Sequence, residues 1–120
     1  GINQSMTNSG TDFATPTGTP LALPQGNWKI EQVANPNGWN QGYGGSIVAV
    51  NEDTGEKLRF SHLSRLNAIP GKRLRGGSVI GYSGATGNVT GAHLDLEYYD
   101  GKGNLADVLQ TRYAKDIFGE

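Results

Sequence analysis

The sequence contains no cysteine, which removes disulfides, thiolate metal sites and a cysteine nucleophile together. It also lacks a surplus of either charge. Ten Lys and Arg stand against eleven Asp and Glu, for a formal net charge of -1, and the two signs are spread along the chain. No basic stripe exists for nucleic acid or an anionic membrane surface. Long apolar runs are missing too: pieces such as Ile47 to Val50 fall far short of the roughly 18 residues of a membrane span. Histidine is scarce, with His62 and His93 the only two in 120 residues. Any imidazole chemistry therefore rests on that pair.

What is abundant is glycine. Nineteen glycines, set among Thr, Asn and Ser, are too many for a helical bundle and suit short strands joined by tight turns. Strand-sized apolar or β-branched runs recur at 12–15, 20–23, 28–34, 46–50, 57–62, 78–83 and 93–98. Turn signals separate them, among them Pro36-Asn37-Gly38, Gly42-Tyr43-Gly44-Gly45, Asp53-Thr54-Gly55 and the stretch 84–91. A single, mainly β domain is expected, with an antiparallel sheet sandwich rather than βαβ units. Near the end, His93, Asp95 and Glu97 alternate with Leu94, Leu96 and Tyr98, predicting one polar, accessible face and one core face. Beyond it, Leu105, Val108, Leu109, Tyr113 and Ile117 recur at helical spacing. That spacing predicts a short C-terminal helix over 104–120, with Asn104 as cap and Asp107 completing a capping pair. Residues 1–7 read as a flexible polar lead-in to a domain over 8–103.

Three separated pieces, in order, carry a resemblance. The first is Asn8-Ser9-Gly10-Thr11-Asp12-Phe13, running into Thr15-Pro16-Thr17-Gly18-Thr19-Pro20. The second is Phe60-Ser61-His62-Leu63-Ser64, and the third is Gly84-Ala85-Thr86-Gly87, then Thr90-Gly91-Ala92-His93-Leu94-Asp95-Leu96-Glu97. Together they resemble the lysostaphin/LytM-type zinc endopeptidases, family twenty-three of the metallopeptidases, whose members cut peptide cross-bridges in bacterial cell walls. That family opens with His-x-Gly-x-Asp-Phe, continues with Tyr-Ala-His-Leu-Ser and closes with His-Leu-His-x-Glu. The resemblance spans about Asn8 to Tyr99 and implies the family's barrel-sandwich-like β fold.

By the same resemblance the zinc positions are Asn8, Asp12 and Asp95, and only Asp12 keeps the family's residue. His62 and His93 occupy the positions of the two histidines that assist proton transfer, while Tyr43 and Glu97 are groove candidates. A catalytic zinc commonly takes three nitrogen, sulfur or carboxylate ligands and activates a water in the open position. An amide and two carboxylates form an all-oxygen set that suits weakly held hard divalent cations instead. The resemblance thus implies a degenerate, catalytically inactive module that binds peptidoglycan or peptide, or a protein partner in the cell envelope, with no cofactor expected. An active peptidase with an atypical metal, zinc included, is the alternative. Nucleic acid is not an expected partner, and the expected setting is extracytoplasmic: periplasm, cell surface, spore envelope or virion. No serine elbow and no phosphate loop accompanies these motifs.

Overall fold

A computed structural model describes residues 4–7, 10–89 and 91–118. Ten strands form one antiparallel sheet: β1 (Gln4–Thr7), β2 (Gly10–Phe13), β3 (Pro20–Ala22), β4 (Asn27–Ala34), β5 (Gly45–Asn51), β6 (Lys57–Leu66), β7 (Arg73–Arg75), β8 (Val79–Ser83), β9 (Leu94–Tyr99) and β10 (Leu105–Ala106). The main path runs β1-β2-β9-β6-β5-β4-β7, with β10 added to β9 and β3-β8 branching from β6. The mainly β antiparallel architecture read from the glycine and turn pattern is therefore present. Gln4–Thr7, read as a flexible lead-in, pairs with β2 as strand β1.

Strand β6 is the organiser. Its first half pairs with β9 on one side and β5 on the other, and from Leu63 onward it leaves β9 and pairs with β8. The sheet thereby folds over on itself and encloses Trp28, Ile30, Ile47, Leu58, Phe60, Leu63, Ile80, Leu94 and Leu96, all essentially fully buried. Burial of such side chains is worth about 1.5 to 3 kcal/mol each.

The C-terminal segment closes this core in a form different from the one its spacing predicts. Val108, Tyr113 and Ile117 are fully buried, so the apolar positions do face inward. The backbone, however, makes strand β10 and then two single 3-10 turns, Val108–Gln110 and Ala114–Asp116. The cap also moves. Asp107, not Asn104, caps the first turn, accepting a hydrogen bond from the Leu109 amide, while Asn104 closes a turn by donating to Asp100. Glu56 anchors the segment from outside it. It accepts from the Tyr98 hydroxyl at 2.5 Å and from the Tyr113 hydroxyl, and Tyr113 packs edge-on against Trp28. These contacts fix Tyr113 through residues distant in sequence, which local helical spacing does not encode.

Two loops interlock above β6. Gly87 has φ +80, and a Cβ there would lie 2.5 Å from both the Gly42 oxygen and the Gly44 nitrogen. Gly71 also has positive φ, with nothing within 4 Å of its Cβ position. The pair separates backbone strain from steric conflict. Gly71→Ala should lose about 1 to 2 kcal/mol from conformation alone, whereas Gly87→Ala should lose about 3 kcal/mol or more, as read from urea denaturation midpoints.

Candidate functional site

Strand register sets the first two side chains. In the β2-β9 ladder Asp12 lies directly opposite Asp95, and in the β9-β6 ladder Asp95 lies opposite Ser61. Directly opposed residues share a face, so Asp12, Asp95 and Ser61 form one polar row across three strands. His93 stands just before β9, its backbone bridged to Gly84. His62 is placed differently. Between the Gly45-Leu63 and Ile47-Phe60 pairs, β5 contributes Ser46 while β6 contributes both Ser61 and His62. This β-bulge puts His62 at φ +65, a conformation uncommon outside glycine that re-aims the side chain. The His62 amide is held by the Tyr43 carbonyl at 2.8 Å.

These elements surround a cleft of about 340 Å³ lined by Asp12, Gln41, Gly42, Tyr43, His62, Asn88, His93 and Asp95. The imidazole rings of His62 and His93 lie with centroids 5.0 Å apart. His62 Nδ1 is 2.7 Å from the Thr86 carbonyl and His93 Nδ1 is 3.0 Å from the Gly91 carbonyl. A carbonyl only accepts, so each Nδ1 carries a proton and Nε2 is the nitrogen left facing the cleft. His93 Nε2 is 3.7 Å from Asp12 Oδ1. Burial, together with the neighbouring His93, lowers the His62 pKa in spite of its bond to Thr86.

Asp95 is the anomaly. It is 7% exposed, and its Oδ1 is buried without a hydrogen-bond partner among the described residues, as is the Ser61 hydroxyl opposite. Burial, then the charges of Asp12 and Glu97, push its pKa from the ordinary 3.8 up to about 7. Glu97, one pair along on the same face, is by contrast fully engaged. It takes hydrogen bonds from Tyr43 at 3.4 Å and Tyr99 at 2.8 Å and an ion pair from Arg59 at 3.3 Å. Glu97 is 2% exposed. The face expected to be accessible is in fact covered, because Tyr43, Arg59 and Tyr99 close over it.

The structure thus gathers Asp12, Asp95, His62, His93 and Tyr43 around one cleft, with Glu97 behind Tyr43. Asn8 lies outside the described residues. Among the described residues no group of three or more His, Asp or Glu side chains is arranged to hold a metal ion. The two carboxylates alone do not make the three-donor seat of a catalytic zinc. Gln41 and Asn88 were not singled out by sequence as site residues, and Thr86 appeared only within the third motif. Only the density of turn residues around them hinted at a role, and turn residues most often serve the backbone.

Comparison with known proteins places these observations. Residues 6–107 match the profile described as Peptidase family M23. The peptidoglycan DD-endopeptidase ShyA of Vibrio cholerae is 36% identical over 90 residues, which is 75% of this chain and 20% of that protein. The chain spans about a fifth of the length of such relatives. Among solved structures, the catalytic domain of lysostaphin from Staphylococcus simulans superposes with a TM-score of 0.72 at 28% identity, covering 86% of this chain and 77% of that one. A zinc-containing peptidase from Vibrio cholerae gives 0.73 at 28% identity, covering 94% and 36%.

The Asp95 environment has a measurable consequence. Unfolded, this carboxyl ionises near 3.8, and folded it holds its proton to about 7. Between those values the folded chain binds the extra proton, so this group's contribution to stability falls as pH rises and is lowest above 7. Asp95→Asn, which never ionises, should gain on the parent between pH 4 and 8 by as much as about 4 kcal/mol. Paired denaturant titrations at the two pH values measure it, and the gain should be absent below pH 4.

Proposed function

Because the chain belongs to Peptidase family M23, we propose that it is a degenerate LytM/lysostaphin-type domain that binds cell-wall peptide without cutting it. One observation carries this reading: a buried carboxylate, Asp95, whose Oδ1 has no hydrogen bond among the described residues, stands where the resemblance implies a histidine ligand. A carboxylate there supplies no imidazole nitrogen to a zinc ion. Without a metal-activated water, His62 and His93 have no nucleophile to deprotonate. They serve instead as fixed acceptors along the cleft wall. The same reading sets the domain outside the cytoplasm, with no resident cofactor, acting on the wall directly or through a protein partner in the envelope.

The wall is the natural ligand under this reading, since relatives such as ShyA are peptidoglycan endopeptidases. The cleft is open, flanked by the amides of Gln41 and Asn88, and suits an extended peptide. Its second reading, a peptidase with an atypical metal, draws support from His93 Nε2 lying 3.7 Å from Asp12 Oδ1 in the same cleft.

Co-sedimentation with insoluble peptidoglycan should carry the protein into the pellet, while no new amines are released from the wall with or without added zinc. Protein left wholly in the supernatant would point to a protein partner, and chelator-sensitive amine release would establish the peptidase. In a second experiment, the Asn8→His, Asp95→His double variant should gain zinc affinity by at least about tenfold, measured by competition with a chromogenic chelator. An unchanged affinity would mean that the backbone around the site differs from that of active relatives.

A further inference from the structure

The cleft's ionisable side chains offer acceptors, while Gln41 and Asn88 bring side-chain amides to its rim. With each Nδ1 committed to a backbone carbonyl, His62 and His93 leave only Nε2 to face a ligand. Asp12 and Asp95 add two carboxylates from directly opposed positions. The Tyr43 hydroxyl donates its hydrogen bond to Glu97. A ligand that completes this wall must bring hydrogens, and preferably positive charge.

The demand is sharpest at Asp95. Arg59 is paired with Glu97, and the ion-pair distance from His93 is to Asp12. Asp95 is nine-tenths buried, and among the described residues its Oδ1 has no hydrogen bond and no cation pairs with it directly, although His93 and Arg59 act on it through space. Its Oδ1 lies over Gly10, where a Cβ would come within 2.6 Å of it, so the absence of a side chain at Gly10 is what admits the carboxylate. A bare buried carboxylate of this kind is costly unless something pairs with it.

Resting on the reading of the domain as a wall-peptide binder, we propose that the cleft captures a primary ammonium group, held between the carboxylates of Asp12 and Asp95. An ammonium meets the conditions that a metal does not. It needs acceptors at ordinary hydrogen-bond distance over a broad range of angles, whereas a catalytic zinc needs three donors converging at about 2 Å. Its three N–H groups are enough in number for Asp12, Asp95 and one imidazole Nε2. The group arrives either as the free amino terminus of a bridge peptide or as the side-chain amine of a diamino acid. Both are chemically alike at the site, and both are lost once that amine is acylated in a cross-link. The domain therefore distinguishes peptide with a free amine from peptide whose amine is already bonded.

The test is a ¹H–¹⁵N NMR titration with three probes: triglycinamide, N-acetyl-triglycinamide and Nα-acetyl-lysinamide. Shifts centred on Asp12, Asp95 and His93 are expected with at least one free-amine probe, with a Kd at least about tenfold below that of N-acetyl-triglycinamide. Whether triglycinamide or Nα-acetyl-lysinamide prevails identifies the source of the amine. Asp95→Asn, checked for an unchanged amide spectrum elsewhere, should reduce the ratio to less than about twofold. Equal binding of the acetylated peptide, binding by no probe, or discrimination that survives Asp95→Asn would each overturn the proposal. So would line broadening at Asp12 and Asp95 by Mn²⁺ at concentrations where the amines cause no shift, which would make the pair a cation seat. Peptidoglycan sedimentation run alongside separates the two failures: retained wall binding with no amine preference sinks only the ammonium site, while loss of both sinks the domain's role as well.

Discussion

Two acids face each other across the β2-β9 ladder, and they cannot slide apart. Phe13 lies opposite Leu94 in the same ladder, and both are in the core. A one-residue slip would carry these apolar side chains to the other face and drive Asp12 into the interior. Core packing thus fixes Asp12 opposite Asp95 as firmly as it fixes the sheet. The electrostatics of the pair, including the high pKa of Asp95, are a consequence of a register chosen by hydrophobic burial.

The histidines depend on a second device that is independent of the first. His62 reaches the cleft only because β6 carries an extra residue against β5, just where the strand transfers from β9 to β8. The left-handed backbone there costs roughly 1 to 2 kcal/mol, and the neighbouring loops offset it. Thr86 accepts from His62 Nδ1 through its carbonyl, and its side chain ties the Gly45 amide to the Leu63 carbonyl. One threonine therefore holds the ring, the bulge and the adjoining loop. The interlocked glycines bring Thr86 close enough to do so.

Much of this was legible in the sequence, for identifiable reasons. Motif order gave the family, and period-two alternation in β9 correctly put Leu94, Leu96 and Tyr98 inward. The same alternation misjudged the opposite face, because it cannot tell that Tyr43, Arg59 and Tyr99, from elsewhere in the chain, will cover Glu97. The C-terminal spacing chose the right buried residues but not their backbone. Val108, Tyr113 and Ile117 do face the core, yet the anchoring of Tyr113 by Glu56 is a contact between residues 57 positions apart that no local period encodes. Gln41 and Asn88 escaped notice because they line the cleft from turns, where polar residues are common for local reasons.

Natural folds seldom keep a strained backbone or an uncompensated buried charge where neither is needed, since simple substitutions would relieve both. Here the two exceptions coincide. His62 holds a left-handed conformation and Asp95 holds a buried carboxylate whose Oδ1 has no hydrogen bond among the described residues, and both line the same cleft. A domain serving only as a structural block would gain stability from glycine at the first position and an uncharged residue at the second. Both costs fall where the ladder, the bulge and the two loops converge, and they are what the proposed ammonium ligand would offset.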